Sequence, residues 1–450
     1  MPKKIKYLIL GAGPCGLGAG YRLKDLGIDD FLILEKSNRV GGLATSYVDE
    51  MGFTWDIGGH VQFSHYDYFD LAMEKALGKS GWLHHEREAW VWLKNTFVPY
   101  PFQNNIHRLP NEDTQSCLKG MEEIKESDVK INNFKDWLLK SFGQGLCDVF
   151  MYPYNFKVWA HKPEELNYSW VGERVAQIDL DRIKKNIELN RDDVSWGPNN
   201  TFQFPLKGGT GAIWNAIGKE IGLDKILLNS AVEKIDWRNK TVFSNGQEFE
   251  YEHLISSLPL TSITKLINAP TLIELADELK YSSTHVVGIG LKGELPKNLQ
   301  GKCWMYFPED DSPFYRVTVF SNYSPHNVPD PGCQFSLMAE ISESSQKPVN
   351  QETIIEDTIQ GLKNSKLISD EEIISKWSFK AALGYPTPSL GRDEILNNLI
   401  PDLEAKGIYS RGRFGAWKYE ISNQDHTFMQ GVEWVNKTIQ GQDEETFKLS

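Results

Sequence analysis

The sequence predicts an α/β protein made of a strand–helix–strand unit, a helical insertion and a mixed, largely antiparallel sheet. Three observations carry this. First, the apolar run KYLIL leads into Gly11-Ala12-Gly13-Pro14-Cys15-Gly16; LGAGYRLKDLG then reads as a helix ending near Gly27, and FLILE as a second strand. Second, from about Gln115 to Lys185 the apolar period turns helical. Phe134, Trp137, Leu138 and Phe142 recur at i, i+3, i+4 and i+8, and Leu146, Val149 and Phe150 extend the series. Third, between about 281 and 345 lie four strand-like runs, THVVGIGLKG, KCWMYFPE, FYRVTVFSNY and QFSLMAEIS, parted by Pro-, Gly- and Asp-rich turns. No internal repeat is visible. The polar tail after Lys437 is expected to fray.

The 450 residues suggest about three domains at roughly 150 residues each. With 61 acidic against 48 basic side chains, net −13, the chain would repel nucleic acid or an anionic membrane at long range, and neither is an expected partner. Aromatics at 12% are too many for a disordered chain. Five cysteines, Cys15, Cys117, Cys147, Cys303 and Cys333, show no CxxC spacing, so neither a disulfide framework nor a thiolate zinc site is expected. The histidines, His65, His84 and His85 among them, show no HExxH spacing, and no metal is expected. The apolar stretch near the start is too short for a signal peptide, and no run approaches a membrane span, which makes the cytoplasm the expected compartment.

Gly11, Gly13 and Gly16 form a GxGxxG loop directly after a strand and before a helix. Glycines there permit a tight turn and close backbone approach to a pyrophosphate at the positive helix end. Glu35 ends the second strand at the spacing expected of an acid that accepts from a ribose. The unit is Rossmann-like and dinucleotide-binding. A second glycine pair follows in Arg39-Val40-Gly41-Gly42-Leu43-Ala44, and this resembles the FAD signature of the amine oxidase and protoporphyrinogen oxidase superfamily. Gly412-Arg413-Phe414-Gly415 and Asn423-Gln424-Asp425-His426 look like the return segment of such a site, so both chain ends are expected to build it. For FAD the resemblance implies Gly11, Gly13, Pro14, Cys15, Gly16, Glu35, Lys36, Gly42, Leu43 and Ala44 as contacts from the first part of the chain. From later parts it implies Gly59, His60, Val61, Val232, Gly412, Arg413, Asn423, Gln424 and Thr427.

The likeness narrows at Gly58-Gly59-His60-Val61-Gln62-Phe63-Ser64-His65, Val98-Pro99-Tyr100-Pro101-Phe102-Gln103-Asn104-Asn105 and Tyr154-Asn155-Phe156-Lys157-Val158-Trp159-Ala160. Trp170 to Ala176, Tyr281 to Val286, Phe314-Tyr315-Arg316, Phe320 to Pro325 and Gly384 to Pro388 continue it. These resemble the flavin-dependent UDP-galactopyranose mutases, above all their eukaryotic-type branch. Gln62, where an apolar residue is more usual, and Trp377-Ser378-Phe379-Lys380-Ala381 depart from the pattern. The resemblance implies the domains: 1–90, 196–265 and 401–450 forming the FAD unit, 91–110 a connection to the substrate sheet, 111–195 a helical domain, and 266–400 a mixed-sheet substrate domain.

The residues can also be read on their own. A nucleotide sugar carries a diphosphate, and a chain of net −13 can hold one only by concentrating positive charge locally, preferably as guanidinium. Arg316 shares a strand face with Thr318 and Phe320, opposite Tyr315, Val317 and Val319, and projects away from the aliphatic side. Arg174 falls on the inward stripe of WVGERVAQI if that segment is a helix, where it needs a carboxylate or a phosphate. Trp304 and Tyr306 share one face of a strand, as an aromatic wall or as core. The resemblance assigns His60, Arg174 and Arg316 to catalysis, and Gln103, Tyr154, Asn155, Trp159, Asn199, Trp304, Tyr306, Tyr323, Tyr385 and Tyr419 to the substrate pocket. It implies reduced FAD whose N5 attacks the anomeric carbon of UDP-galactopyranose, UDP leaving and returning to give UDP-galactofuranose for cell-surface glycans, with NADPH or NADH as reductant and an oligomer possible. An oxidase of the amine oxidase type is the alternative.

Overall fold

A computed structural model describes residues 2–124, 130–194, 197 and 200–449. Its first sheet has seven strands. Lys3–Leu10 lies centrally, parallel to Phe31–Leu34 on one side and to Gln247–Ser256 on the other, with Ile9 opposite Ile33 and Ile255. The four residues FLIL are buried throughout, as befits a parallel strand covered on both faces. The short strand Ile408–Ser410 joins Gln247–Ser256 in parallel, so the start, middle and end of the chain share one sheet. Helix Pro14–Asp25 packs against the last helix, Gln424–Gln440.

The second sheet also has seven strands. It runs from Ile373–Pro386 through Tyr281–Lys292, Gln334–Glu343, Arg316–Val319 and Trp304–Tyr306 to the hairpin Ala89–Leu93 and Thr96–Pro99. Only the junction of Trp304–Tyr306 with Ala89–Leu93 is parallel. The run FYRVTVFSNY is shorter as a strand than the sequence suggests. It turns into a short helix at Phe320–Tyr323, because Asn322 Nδ2 donates to the carbonyls of Leu299 and Lys302 (3.1 and 2.8 Å) and Asn327 Nδ2 to that of Phe320 (2.9 Å). These bonds satisfy the backbone without a ladder.

Helices Asn111–Glu123, Phe134–Leu146, Tyr152–Trp159 and Leu180–Leu189 fill the segment with helical periodicity. Asn133 caps the second, accepting from Asp136 N at 3.0 Å, and Phe134, Leu138, Phe142, Leu146 and Phe150 are all buried, while Trp137 and Val149 are half-buried. Two expectations fail. WVGERVAQI forms only a single 3₁₀ turn, Gly172–Arg174, and is extended by Val175. The Trp170 carbonyl, which a helix would offer to the Arg174 N–H, accepts instead from the Arg174 side chain (3.2 Å). The tail does not fray: Phe447 is buried in the core around the first sheet, and Glu444 is held by Arg411 (2.6 and 2.8 Å) and Lys437 (2.8 Å). Among the described residues no helix is long and apolar enough to cross a membrane.

Candidate active site

The cradle at the head of the first helix is set by close approach. A Cβ on Gly16 would lie 1.9 Å from the Gly11 carbonyl oxygen, so no other residue fits. Gly13 sits at the helix N-cap without a side-chain hydrogen bond, and space in front of its Cα is open. Pro14 opens the helix, and burial pushes the Cys15 thiol up to about 12, which leaves it inert and its backbone as the useful part. Glu35 is buried and accepts from Ala12 N and Ser37 N, both at 2.8 Å, so it braces the loop it was expected to serve through a ribose. Gly42 packs on Gly13, Ala44 is buried behind it, and Leu43 and Val232 pack on one apolar cluster, while Lys36 stays at the exposed rim.

The return segment meets this cradle. Gly412 N donates to Gln430 Oε1 (2.7 Å), and a Cβ there would sit 2.9 Å from that of Cys15. Asn423 precedes the last helix and accepts from Thr427 Oγ1 (3.0 Å), while Gln424 Oε1 accepts from Trp214 Nε1 (2.7 Å). Sequence reasoning missed Asp56, buried between Ser46 Oγ and Thr210 N; burial, opposed by these bonds, pushes its carboxyl up to about 6. The nearby Gly208-Gly209-Thr210-Gly211 was the available signal.

The second part of the site is a group of arginines among aromatic rings. Arg316 forks onto Glu340, Nε to Oε1 at 2.7 Å and Nη2 to Oε2 at 2.8 Å, across the register of two paired strands. Glu340 Oε2 also accepts from Tyr315 OH (2.9 Å) and Oε1 from Gly59 N (3.0 Å). Burial would push the Glu340 carboxyl up, but Arg316 prevails and holds it below the usual range. Glu340 was not foreseen, although a charge in QFSLMAEIS on the face of Ser336, Met338 and Ser342 is its mark.

Arg174 makes no carboxylate contact among the described residues. It donates to the carbonyls of Trp170 and Glu420 and lies 5.7 Å from the Tyr419 ring centre, while the Glu420 carboxylate is occupied by buried Arg392. Arg413, expected at the flavin, donates to the carbonyls of Gly384 (3.0 and 2.8 Å) and Ser422 (3.2 Å) and lies 4.8 Å from the Tyr385 ring centre. Trp159, Tyr385 and Tyr419 pack together, with ring centres 4.8 to 6.1 Å apart. Tyr154 and Tyr306 form a second aromatic pair (5.3 Å), with Trp304 Nε1 donating to Tyr306 OH (2.6 Å). Tyr323 packs on Phe202, which also meets Trp304. The charge of Arg316 reaches Tyr154, Tyr306, Tyr323 and Tyr419. Gln103 and Asn155 donate instead to backbone carbonyls, of Ala176 and of Met151 (2.8 Å). Asn199 lies outside the described residues.

His60 follows the glycine pair, and burial holds its imidazole down at about 4, against the pull of Glu340. It is therefore neutral at pH 7. Val61 beside it is half-buried. His60 Nδ1, Gln62 Nε2, Thr318 Oγ1 and Tyr323 OH are all buried without a partner among the described residues. Buried polar atoms need partners. Together with the uncapped helix and the open space at Gly13, these atoms fit a bound flavin dinucleotide and its substrate. Farther along the loop, His65, Asp425 and His426 converge, but each Asp425 oxygen is already bonded to a histidine Nδ1 (2.8 and 2.9 Å), a clasp between the loop and the last helix.

A family model described as flavin containing amine oxidoreductase matches residues 14–378. A crystal structure of reduced UDP-galactopyranose mutase is 48% identical and superposes with a TM-score of 0.95, covering 98% of this chain and 95% of that one. A CLA-producing fatty acid isomerase from P. acnes (13% identity, TM-score 0.66, 97% and 99% covered) shares the fold. So does putrescine oxidase bound to putrescine (15%, TM-score 0.65, 98% and 100% covered). The chain belongs to the flavin containing amine oxidoreductase family and, within it, to the UDP-galactopyranose mutases.

Proposed function

We propose that this chain interconverts UDP-galactopyranose and UDP-galactofuranose on a reduced FAD, with NADPH or NADH as the reductant in the cytoplasm. The observation that carries the reading beyond the family is a surplus of guanidinium. The charges of Arg174, Arg316 and Arg413 all reach Tyr419, and of the three only Arg316 is paired with a carboxylate, Glu340, among the described residues, in a chain of net −13. Such a surplus suits a diphosphate. An amine substrate would call for the opposite charge.

Bound and reduced, the flavin supplies a nucleophilic nitrogen for the anomeric carbon without net redox change. The chain does the rest. Arg174, whose guanidinium donates to two backbone carbonyls, and the edge of Arg316 turned away from Glu340 hold the diphosphate as the sugar–phosphate bond breaks. They keep UDP oriented for its return. Neutral His60 holds its side of the loop and carries no charge to lose at pH 7. The two aromatic groups, Trp159, Tyr385 and Tyr419 and then Tyr154, Trp304 and Tyr306, exclude water that would hydrolyse the sugar.

The test is product analysis. Purified protein with UDP-galactofuranose, pre-reduced anaerobically and freed of reductant, should give UDP-galactopyranose over many turnovers per flavin, and the oxidised protein none. Conversion that stops at one equivalent of flavin, or that needs oxygen, would instead favour an oxidase.

A further inference from the structure

Glu340 is 1% exposed and serves two parts of the site at once. Its Oε1 is shared by Arg316 Nε and the Gly59 N–H, and its Oε2 by Arg316 Nη2 and Tyr315 OH. Arg316 spends Nε and Nη2 on this fork, and no described residue bonds to Nη1. An anion would therefore meet Arg316 at the edge turned away from Glu340. The loop on the other side lies flush on the same groups. A Cβ on Gly59 would come within 2.7 Å of Thr318 Oγ1, 3.4 Å of Glu340 Oε1 and 3.8 Å of Arg316 Cζ, and one on Gly58, at φ +98°, within 3.1 Å of Glu340 Oε2. The glycine pair thus rests on the Arg316–Glu340 pair with no side chain between.

We propose that Glu340 is a positioning residue that transmits occupancy of the diphosphate site to the Gly58–His60 loop. The inference rests on the function proposed above. A phosphate on Nη1 draws part of the guanidinium charge to itself, which weakens the fork to Glu340. The carboxylate that Arg316 partly releases then accepts more strongly from Gly59 N, because one oxygen serves both donors. The loop that presents His60 so responds to a ligand it need not touch. By linkage, a loop conformation that binds Glu340 better also binds the nucleotide differently.

UDP is titrated into the oxidised, FAD-loaded protein while binding heat and the flavin absorbance spectrum are recorded, and backbone hydrogen exchange of a peptide spanning 57–63 is measured with and without UDP. In the unaltered protein UDP should bind, perturb the flavin spectrum saturably and slow exchange in that peptide at least threefold. In Glu340→Gln, UDP should still bind, within about tenfold in Kd, while the spectral amplitude and the exchange response fall at least threefold. Glu340→Asp should restore part of both. A response that persists undiminished in Glu340→Gln, or UDP binding to the unaltered protein without any exchange response, overturns the inference. Absence of UDP binding altogether would sink the proposed function instead. If Glu340→Gln does not fold, the exchange measurement on the unaltered protein decides.

Discussion

Alanine at Arg174 and at Arg316, taken singly, should separate what each arginine does for the fold from what it does for the ligand. Arg316→Ala strips Glu340, 1% exposed, of its counter-ion and of two hydrogen bonds. Breaking a buried pair costs about 3–5 kcal/mol, and the 22% exposure of the Arg316 side chain argues for the lower end. Arg174→Ala gives up two bonds to carbonyls and a ring contact at 5.7 Å, a loss of about 1–2 kcal/mol. Both remove a charged contact to the diphosphate, for which about 2–5 kcal/mol, or roughly 30- to 5,000-fold in turnover, is expected. The double variant Arg316→Ala/Glu340→Gln replaces the stranded carboxylate by a neutral amide. It should regain part of the stability and none of the activity. Urea unfolding followed by tryptophan fluorescence at fixed FAD, with turnover of pre-reduced enzyme, measures both. Equal unfolding midpoints for the two single variants, or activity regained in the double variant, would refute the reasoning.

Asp56→Asn should raise the thermal midpoint relative to the parent at pH 7.5, with the gap closing towards pH 4.5. The folded carboxyl titrates at about 6, above its unfolded value, so its proton-bound contribution is present below about pH 4 and lost as pH rises through 6, by up to about 3 kcal/mol. A gap that is constant with pH would count against it. Glu35→Ala should weaken FAD retention at least tenfold in an equilibrium dialysis assay, since it frees Ala12 N and Ser37 N as well as any ribose contact; unchanged affinity would remove Glu35 from the cradle. Truncation after Gly441 should lower the thermal midpoint by several degrees, because it takes Glu444 from Arg411, itself 1% exposed, and Phe447 from the core. A midpoint within one degree would mean that the tail contributes nothing.

The dinucleotide cradle was legible because its constraints are local. The Gly11–Gly16 approach, the acid at Glu35 and the apolar spacing of Phe134, Leu138 and Phe142 each follow from sterics or periodicity within a few residues of chain. Likeness to the mutases added the arginines and tyrosines, and the second sheet, with helices Tyr152–Trp159 and Phe320–Tyr323 packed on it, brings Arg316, Tyr154, Tyr306 and Tyr323 together. What the sequence by itself did not decide was which charges face one another. Arg316 meets Glu340 only because two antiparallel strands pair in one register, and a shift of one residue would turn Glu340 to the other face. Arg174 leaves its expected helix where Gly172 takes φ +46° and the backbone departs from the right-handed region, and its guanidinium then donates to the Trp170 carbonyl. Glu444 and Phe447 look like a loose polar tail until the fold presents Arg411 and an open place in the core. The clasp of His65 to Asp425 spans 360 residues, and only docking of the last helix against the first brings its halves within 2.8 Å.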